Sequence, residues 1–314
     1  MKPPGVPAVV VGIVGPTAVG KTRVAIEVAE QIGGEIVSVD SRLLYRGLDI
    51  GTDKPSLEDR ARVPHHLIDI AEPAETWSLA QFCGAALVTI DEIHARSRLP
   101  IVVGGTGQYV RALLEGWALS PGTLDLEVRR GWERTAEQAG ADALHAMLAE
   151  TDPVSAARID RRNVRRVIRA LEVHQITGSP ASLRPRRHPV PFQSLVFGLT
   201  LPRPELYLRL DARINAMLQR GLVEEVQRLL DRGVPADAPS LSAIGYAQIV
   251  RYLLGEWTLA RAIEEIRRRS RVLVRQQCNW FRPDDPEIHW VASRPGVERE
   301  LVRLILRRLP DGSR

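Results

Sequence analysis

Residues 9–34 read VVVGIVGPTAVGKTRVAIEVAEQIGG. The run Val9, Val10, Val11, Ile13, Val14 is continuously β-branched rather than alternating, the pattern of a central strand covered on both faces of a parallel sheet. Beyond residues 15–22, Val24, Ala25, Val28, Ala29 and Ile32 recur at helical spacing, and the pair Gly33-Gly34 ends that helix. Between strand and helix, GPTAVGKT (Gly15, Pro16, Thr17, Ala18, Val19, Gly20, Lys21, Thr22) matches the phosphate-loop pattern in its required context. Its glycines let the backbone curl so that successive N–H groups point inward, and the helix N-terminus adds partial positive charge. Lys21 reaches phosphate oxygens, and the Thr22 hydroxyl can ligate Mg²⁺. The loop alone leaves the phosphate compound open, with a nucleotide kinase or NTPase as the default.

Ile36, Val37 and Val39 predict a second strand that stops at Asp40-Ser41, and Ile101, Val102 and Val103 a third that stops at Gly104-Gly105-Thr106. Residues 78–96 read as an amphipathic helix with Ser78 as its cap, and residues 194–200, SLVFGLT, as one more core strand. Two long helices are expected near 203–232 and 259–281. The alternation predicts an α/β fold: a P-loop-type doubly wound parallel sheet flanked by helices, with an inserted, mainly α-helical domain. The catalytic core takes residues 1–119 plus 194–314 and the insertion residues 120–193, where the composition turns arginine-rich and helical in pattern. Ligands of such sheets gather at the carboxyl ends of strands, so Asp40, Thr106 and the glycine loop should face one crevice.

A chain of 314 residues suits such a core with an insertion, and its 44% hydrophobic against 26% charged side chains exclude a disordered chain. The formal charge of +5 favours a polyanionic partner such as nucleic acid without proving one. Cys83 and Cys278 are far apart and in no ligand-like spacing, which argues against a disulfide framework or a zinc site and for a reducing compartment. The apolar run at 9–14 is too short for a membrane span, and a cytoplasmic location is expected.

Seven blocks carry a more specific signal: GPTAVGKT, then VDSRLLYRGLDIGTDKP at 39–55, VPHHLIDI at 63–70, VVGGTGQYVRALLEG at 102–116, RVIRALEV at 166–173, AIGYAQI at 243–249 and Trp280-Phe281-Arg282. In this order they resemble the tRNA dimethylallyltransferases, from about residue 9 to about residue 290. The resemblance implies transfer of a dimethylallyl group from dimethylallyl diphosphate to N6 of the adenosine 3′ of the anticodon in tRNA, with diphosphate leaving. It turns residues 15–22 into a diphosphate cradle, with Mg²⁺ as cofactor, and implies tRNA and that donor as partners; nothing in the sequence demands more than a monomer.

The resemblance also implies residue roles. Asp40 matches the family's general base, although a water-mediated contact to Mg²⁺ is its alternative role. A carboxylate at hydrogen-bond reach would orient a poorly nucleophilic aryl amine and take its proton. Ser41, Arg42 and Leu43 complete a segment that meets the tRNA, Thr106 matches a threonine that contacts the substrate adenosine, and Arg129 a tRNA-binding arginine. Arg213 matches an arginine near the diphosphate. Arg165, Arg166, Val167, Ile168 and Arg169 match a tRNA-contact segment. In the sequence itself Arg158, Arg162, Arg165 and Arg169 fall at helical spacing and could track a phosphate backbone, opposite a stripe of Val164, Val167, Ile168 and Leu171.

Gln108, Ser242, Ala247, Gln276 and Asn279 depart from the family's usual residues, and all lie outside the loop, Asp40 and Thr106. Two other enzymes share part of the pattern. An adenylate prenyltransferase shares the donor loop but needs no arginine-rich insertion, and a P-loop nucleotide kinase leaves DSRLLYRG and GGTGQY unexplained. An RNA-binding module with a vestigial loop would have no use for Lys21, Thr22 and Asp40 together.

Overall fold

The structure is a computed structural model and describes residues 8–119, 126–183 and 187–310. The chain divides into two compact units, one made of residues 1–114 and 190–314 and the other of residues 115–189. The larger begins with β1 (Ala8–Val14), α1 (Lys21–Ile32), β2 (Gly34–Ser38), α2 (Leu57–Arg62), β3 (His65–His66), α3 (Leu79–Ala95), β4 (Leu99–Gly104) and α4 (Gly107–Leu114). The smaller unit contributes α5 (Leu126–Thr151), α6 (Pro153–Ala156) and α7 (Val164–Thr177). The larger resumes with β5 (Phe192–Thr200), α8 (Arg203–Gln219), α9 (Leu222–Asp231), α10 (Tyr246–Leu253), α11 (Leu259–Trp280), β6 (Ile288–Ala292) and α12 (Val297–Arg308).

The sheet has the order β3-β2-β4-β1-β5-β6, and every pairing in it is parallel. β1 lies inside it, with Val11 opposite Ile101 on one side and Leu195 on the other. That position explains its unbroken apolar run, since Val10, Val11, Ile13 and Val14 are wholly buried. Each such side chain contributes about 1.5–3 kcal/mol by leaving water. The expected doubly wound α/β fold is therefore present, with α1 packed on β2 and β4 beside α12, and α3 packed on β2 and β4 beside α4.

Local signals set the helix ends. Gly33 takes φ 67°, a left-handed conformation that costs glycine little, and its N–H closes α1 on the Ala29 carbonyl. Ser78 caps α3 in a reciprocal box: its hydroxyl accepts the Gln81 N–H, and the Gln81 side chain accepts the Ser78 N–H. The single helix expected near 203–232 is two, because Gly221 stands at φ 93° and separates α8 from α9. β3, two residues long, and β6 with α12 add elements that the sequence pattern did not reveal.

In the smaller unit, α5 bends at Gly140, and Leu144 and Leu148 pack with Ala156, Val167, Ile168, Ala170 and Leu171. This core corrects two expectations. Asn163 caps α7 by accepting the Arg166 N–H, so Arg158 and Arg162 precede the helix and do not share a helical face with Arg165 and Arg169. Val167 and Ile168 are buried in the unit's core at 0% and 3% exposure, so their side chains cannot be RNA contacts.

Candidate active site

The loop at residues 15–22 takes backbone shapes that its residue types permit. Gly15 and Gly20 stand at φ 144° and 97°, and Ala18 is held left-handed at 65°. A Cβ on Gly15 would lie 2.6 Å from the Leu199 carbonyl oxygen, so only glycine fits beside β5. Val19 is fully buried, and its carbonyl accepts the Ser293 hydroxyl at 2.7 Å, which ties the loop to the end of β6. α1 then starts with no side-chain cap and no acidic residue in its first turn. Its positive end is left to an incoming anion.

Two cations face this loop. Lys21 Nζ donates to the Pro16 carbonyl at 2.9 Å. Desolvation lowers its pKa to about 8, with Asp40 opposing the shift and Arg213 adding to it. Arg213, on α8, donates from Nη1 to Thr17 Oγ1 at 2.9 Å and from Nη2 to the Thr52 carbonyl at 3.4 Å, while its Nε lies 3.3 Å from Asp53 Oδ2. Placing two cations close enough for one to depress the other is favourable only where an anion comes between them.

The neighbouring strand ends complete the crevice. Asp40 follows β2, and its Oδ1 accepts the Arg42 N–H at 2.8 Å, which fixes the carboxylate's direction. The Arg42 guanidinium turns away to the Pro239 carbonyl at 2.6 Å and the Ser242 hydroxyl at 3.0 Å. Thr106 follows β4 and opens α4, its carbonyl accepting the Tyr109 N–H at 2.9 Å. Between them a Cβ on Gly105 would lie 3.3 Å from both Lys21 Nζ and the Gly15 carbonyl oxygen, so the β4 end touches the loop. Thr17, Lys21, Thr22, Asp40, Ser41, Arg42, Leu43, Thr106 and Arg213 all line one crevice of about 950 Å³.

Gln277, on α11, is a further member that the sequence pattern did not suggest. Its Oε1 accepts the Thr17 N–H at 2.7 Å and its Nε2 donates to the Gly105 carbonyl at 2.9 Å, clamping the loop to the β4 end. The signal was available: Ala262, Ile266, Ser270, Val274 and Gln277 form the buried stripe of α11, and an amide at its end requires polar partners.

The remaining predicted residues belong to the smaller unit. Glu172 is 1% exposed and lies 3.1 Å from Arg169 and 3.8 Å from Arg129, which also pairs with Glu133 at 3.0 Å. Arg165 and Arg166 are exposed and have no acidic partner among the described residues. No group of three or more His, Cys, Asp or Glu side chains suited to a metal occurs among the described residues.

A family model described as IPP transferase matches residues 43–284, more than three-quarters of the chain. The chain belongs to the IPP transferase family. The match begins beyond the phosphate loop and Asp40, so membership does not rest on a loop shared with unrelated enzymes. This IPP transferase is 51% identical over 305 residues to the tRNA dimethylallyltransferase of Thermomicrobium roseum, across 97% of this chain and 92% of that one. It also resembles the full-length tRNA isopentenylpyrophosphate transferase of Bacillus halodurans, at 40% identity and TM-score 0.72 over 98% of both chains. A crystal structure of a eukaryotic dimethylallyltransferase acting on tRNA is similar at TM-score 0.82 and 25% identity, over 96% of this chain and 80% of that one.

Proposed function

We propose that this IPP transferase moves a dimethylallyl group from dimethylallyl diphosphate to N6 of the adenosine 3′ of the anticodon in tRNA, releasing diphosphate. The observation that carries this reading is the single crevice in which Lys21, Arg213 and the uncapped start of α1 face the same space as the Asp40 carboxylate. In the reaction the N6 lone pair forms a bond to C1 of the dimethylallyl group and the C1–O bond breaks. Its electron pair leaves on the diphosphate, and the N6 proton passes to Asp40. Lys21, Arg213 and the N–H groups at the uncapped start of α1, residues 20–22, are the donors aimed at the charge that grows on the leaving group. Asp40 removes the positive charge that alkylation would otherwise leave on the amine.

Mg²⁺ keeps several waters and is commonly held by one or two carboxylates together with substrate phosphates, so most of its ligands here would be water and diphosphate oxygens. Thr22 supplies a hydroxyl for it at the start of α1. Such an ion would add neutralising charge on the leaving diphosphate.

In the smaller unit, the exposed Arg165 and Arg166, with Arg129 and Arg169 fixed on Glu172, form the basic face that takes the tRNA backbone. A base in a single-stranded loop is turned out at low cost, as the chemistry at N6 requires. Both cysteines are free, and no helix among the described residues is long and apolar enough to cross a membrane.

Incubation with labelled dimethylallyl diphosphate, Mg²⁺ and unmodified tRNA, with AMP and ATP as alternative acceptors, tests the reading. Label is expected in tRNA alone, at the adenosine 3′ of the anticodon. Label in AMP but not in tRNA would overturn it.

A further inference from the structure

Residues 49–51, DIG, and Tyr246 of the AIGYAQI block have no role in the chemistry above. They meet at a buried carboxylate. Glu225, on α9, is 4% exposed, and none of its described partners is a cation. Its Oε2 accepts the N–H groups of Asp49 at 3.1 Å and Ile50 at 2.8 Å. Its Oε1 accepts the Gly51 N–H at 3.2 Å and the Tyr246 hydroxyl at 2.5 Å. The Tyr246 oxygen accepts a further bond from the Gly51 N–H at 3.1 Å. A Cβ at position 51 would lie 2.4 Å from the Tyr246 ring, so only glycine lets the turn close against it.

A buried carboxylate without a cation is costly unless its lone pairs are filled, and here backbone donors and a phenol fill them. Burial, and next the charge of Glu225, push the Tyr246 phenol far above its ordinary range, so it stays protonated and donates. The turn is thus wrapped around an anion, and its outward side is set as a result. Thr52 presents its carbonyl to Arg213 at 3.4 Å, and Asp53 places one carboxylate oxygen 3.3 Å from Arg213 and the other 2.9 Å from Arg220. Arg213 is thereby held on one side by this turn and on the other by Thr17 of the phosphate loop.

We propose that Glu225 and Tyr246 are positioning residues for the donor diphosphate: by fixing the turn at residues 49–51 they set Thr52 and Asp53, which aim Arg213 at the phosphate loop. The inference rests on the reading of Arg213 as a diphosphate ligand. It accounts for a glycine, a tyrosine and a glutamate far apart in the sequence by one arrangement. It also explains why neither Glu225 nor Tyr246 needs to reach the reacting atoms.

A double-mutant cycle read by calorimetry tests it, with dimethylallyl diphosphate and, separately, inorganic diphosphate as titrants. Glu225→Gln keeps the volume but replaces one accepting oxygen by a donor. It is expected to weaken both titrants by about tenfold while leaving the KM for tRNA within about twofold. Tyr246→Phe removes one hydroxyl and is expected to weaken them by about threefold. In an Arg213→Ala background neither change should weaken binding further, because the arginine through which both act is gone. A full additional loss in that background, or unchanged diphosphate affinity in a folded Glu225→Gln protein, would overturn the proposal. Thermal unfolding of each variant checks the fold, and if Glu225→Gln does not fold, the Tyr246→Phe cycle tests the proposal in its place, by the same two outcomes. A wild-type protein that binds diphosphate but does not alkylate tRNA would count against the proposed function and leave this cycle readable.

Discussion

On the proposed function the phosphate loop and helix α7 both meet phosphate, and they handle positive charge in opposite ways. At the loop each cation is tethered: Lys21 to the Pro16 carbonyl, Arg213 to Thr17, Thr52 and Asp53. On α7, Arg165 and Arg166 stand in solvent without an acidic partner among the described residues, and only Arg169 is tied down, to Glu172. The first arrangement is preorganised and desolvated, where a charge acts strongly on a transition state. The second is hydrated, screened by salt and suited to gripping a long polyanion without chemistry. On that proposal one region lowers a barrier and the other gathers substrate.

The largest expected effect breaks this division at the crevice. Asp40→Ala should lower kcat by roughly 10³-fold, the range of general-base catalysis, while tRNA binding measured by filter retention stays within about twofold. Equal activity in the variant would remove the base assignment.

Next in size is the response of α7. Replacing Arg165 and Arg166 together by Gln should raise the KM for tRNA by roughly tenfold. It should also reduce the slope of log affinity against log salt by about 2, one for each phosphate no longer neutralised. Affinity for dimethylallyl diphosphate should not change. A shift in donor affinity would mean that the two regions are not separable.

A smaller effect tests the loop's desolvation. Burial pushes the Lys21 ammonium down to about 8, and a bound diphosphate would raise that value because it favours the ammonium. Donor affinity should therefore be full below pH 8 and fall by up to about tenfold per pH unit above it. Calorimetry between pH 7 and 9.5 reads this directly, and tRNA affinity over the same range should change far less.

The smallest effect concerns the core beneath the arginines. Ile168→Val should cost about 1 kcal/mol of stability in denaturant unfolding and leave the salt slope of tRNA binding unchanged. A changed slope with unchanged stability would return Ile168 to the RNA-facing surface.

Local patterns carry what was legible in the sequence. The β-branched run of β1, the glycines flanking Lys21 and the Ser78 cap each declare themselves within a few residues, because the physical constraint acts over that distance. Asn163 was equally local, a cap residue directly before the run that begins at Val164, yet the arginines before it obscured the helix start. Gln277 and Glu225 could not be read in the same way. Each acts on backbone groups far away in the chain, Gln277 on Thr17 and Gly105 and Glu225 on residues 49–51, so its partners exist only after the sheet has formed. The split at Gly221 lay between these cases, since a glycine inside a helical pattern is tolerated until its backbone must turn left-handed.

On the proposed function, residues 15–22 hold a leaving diphosphate rather than a nucleoside triphosphate. Single-turnover quantification of released diphosphate and of alkylated adenosine, with dimethylallyl diphosphate, tRNA and Mg²⁺ and then with ATP in place of the prenyl donor, tests it most directly. Equal amounts of diphosphate and prenylated adenosine are predicted with the prenyl donor, and no phosphate release from ATP. Phosphate released from ATP at a comparable rate, with no prenyl group in the tRNA, would contradict it.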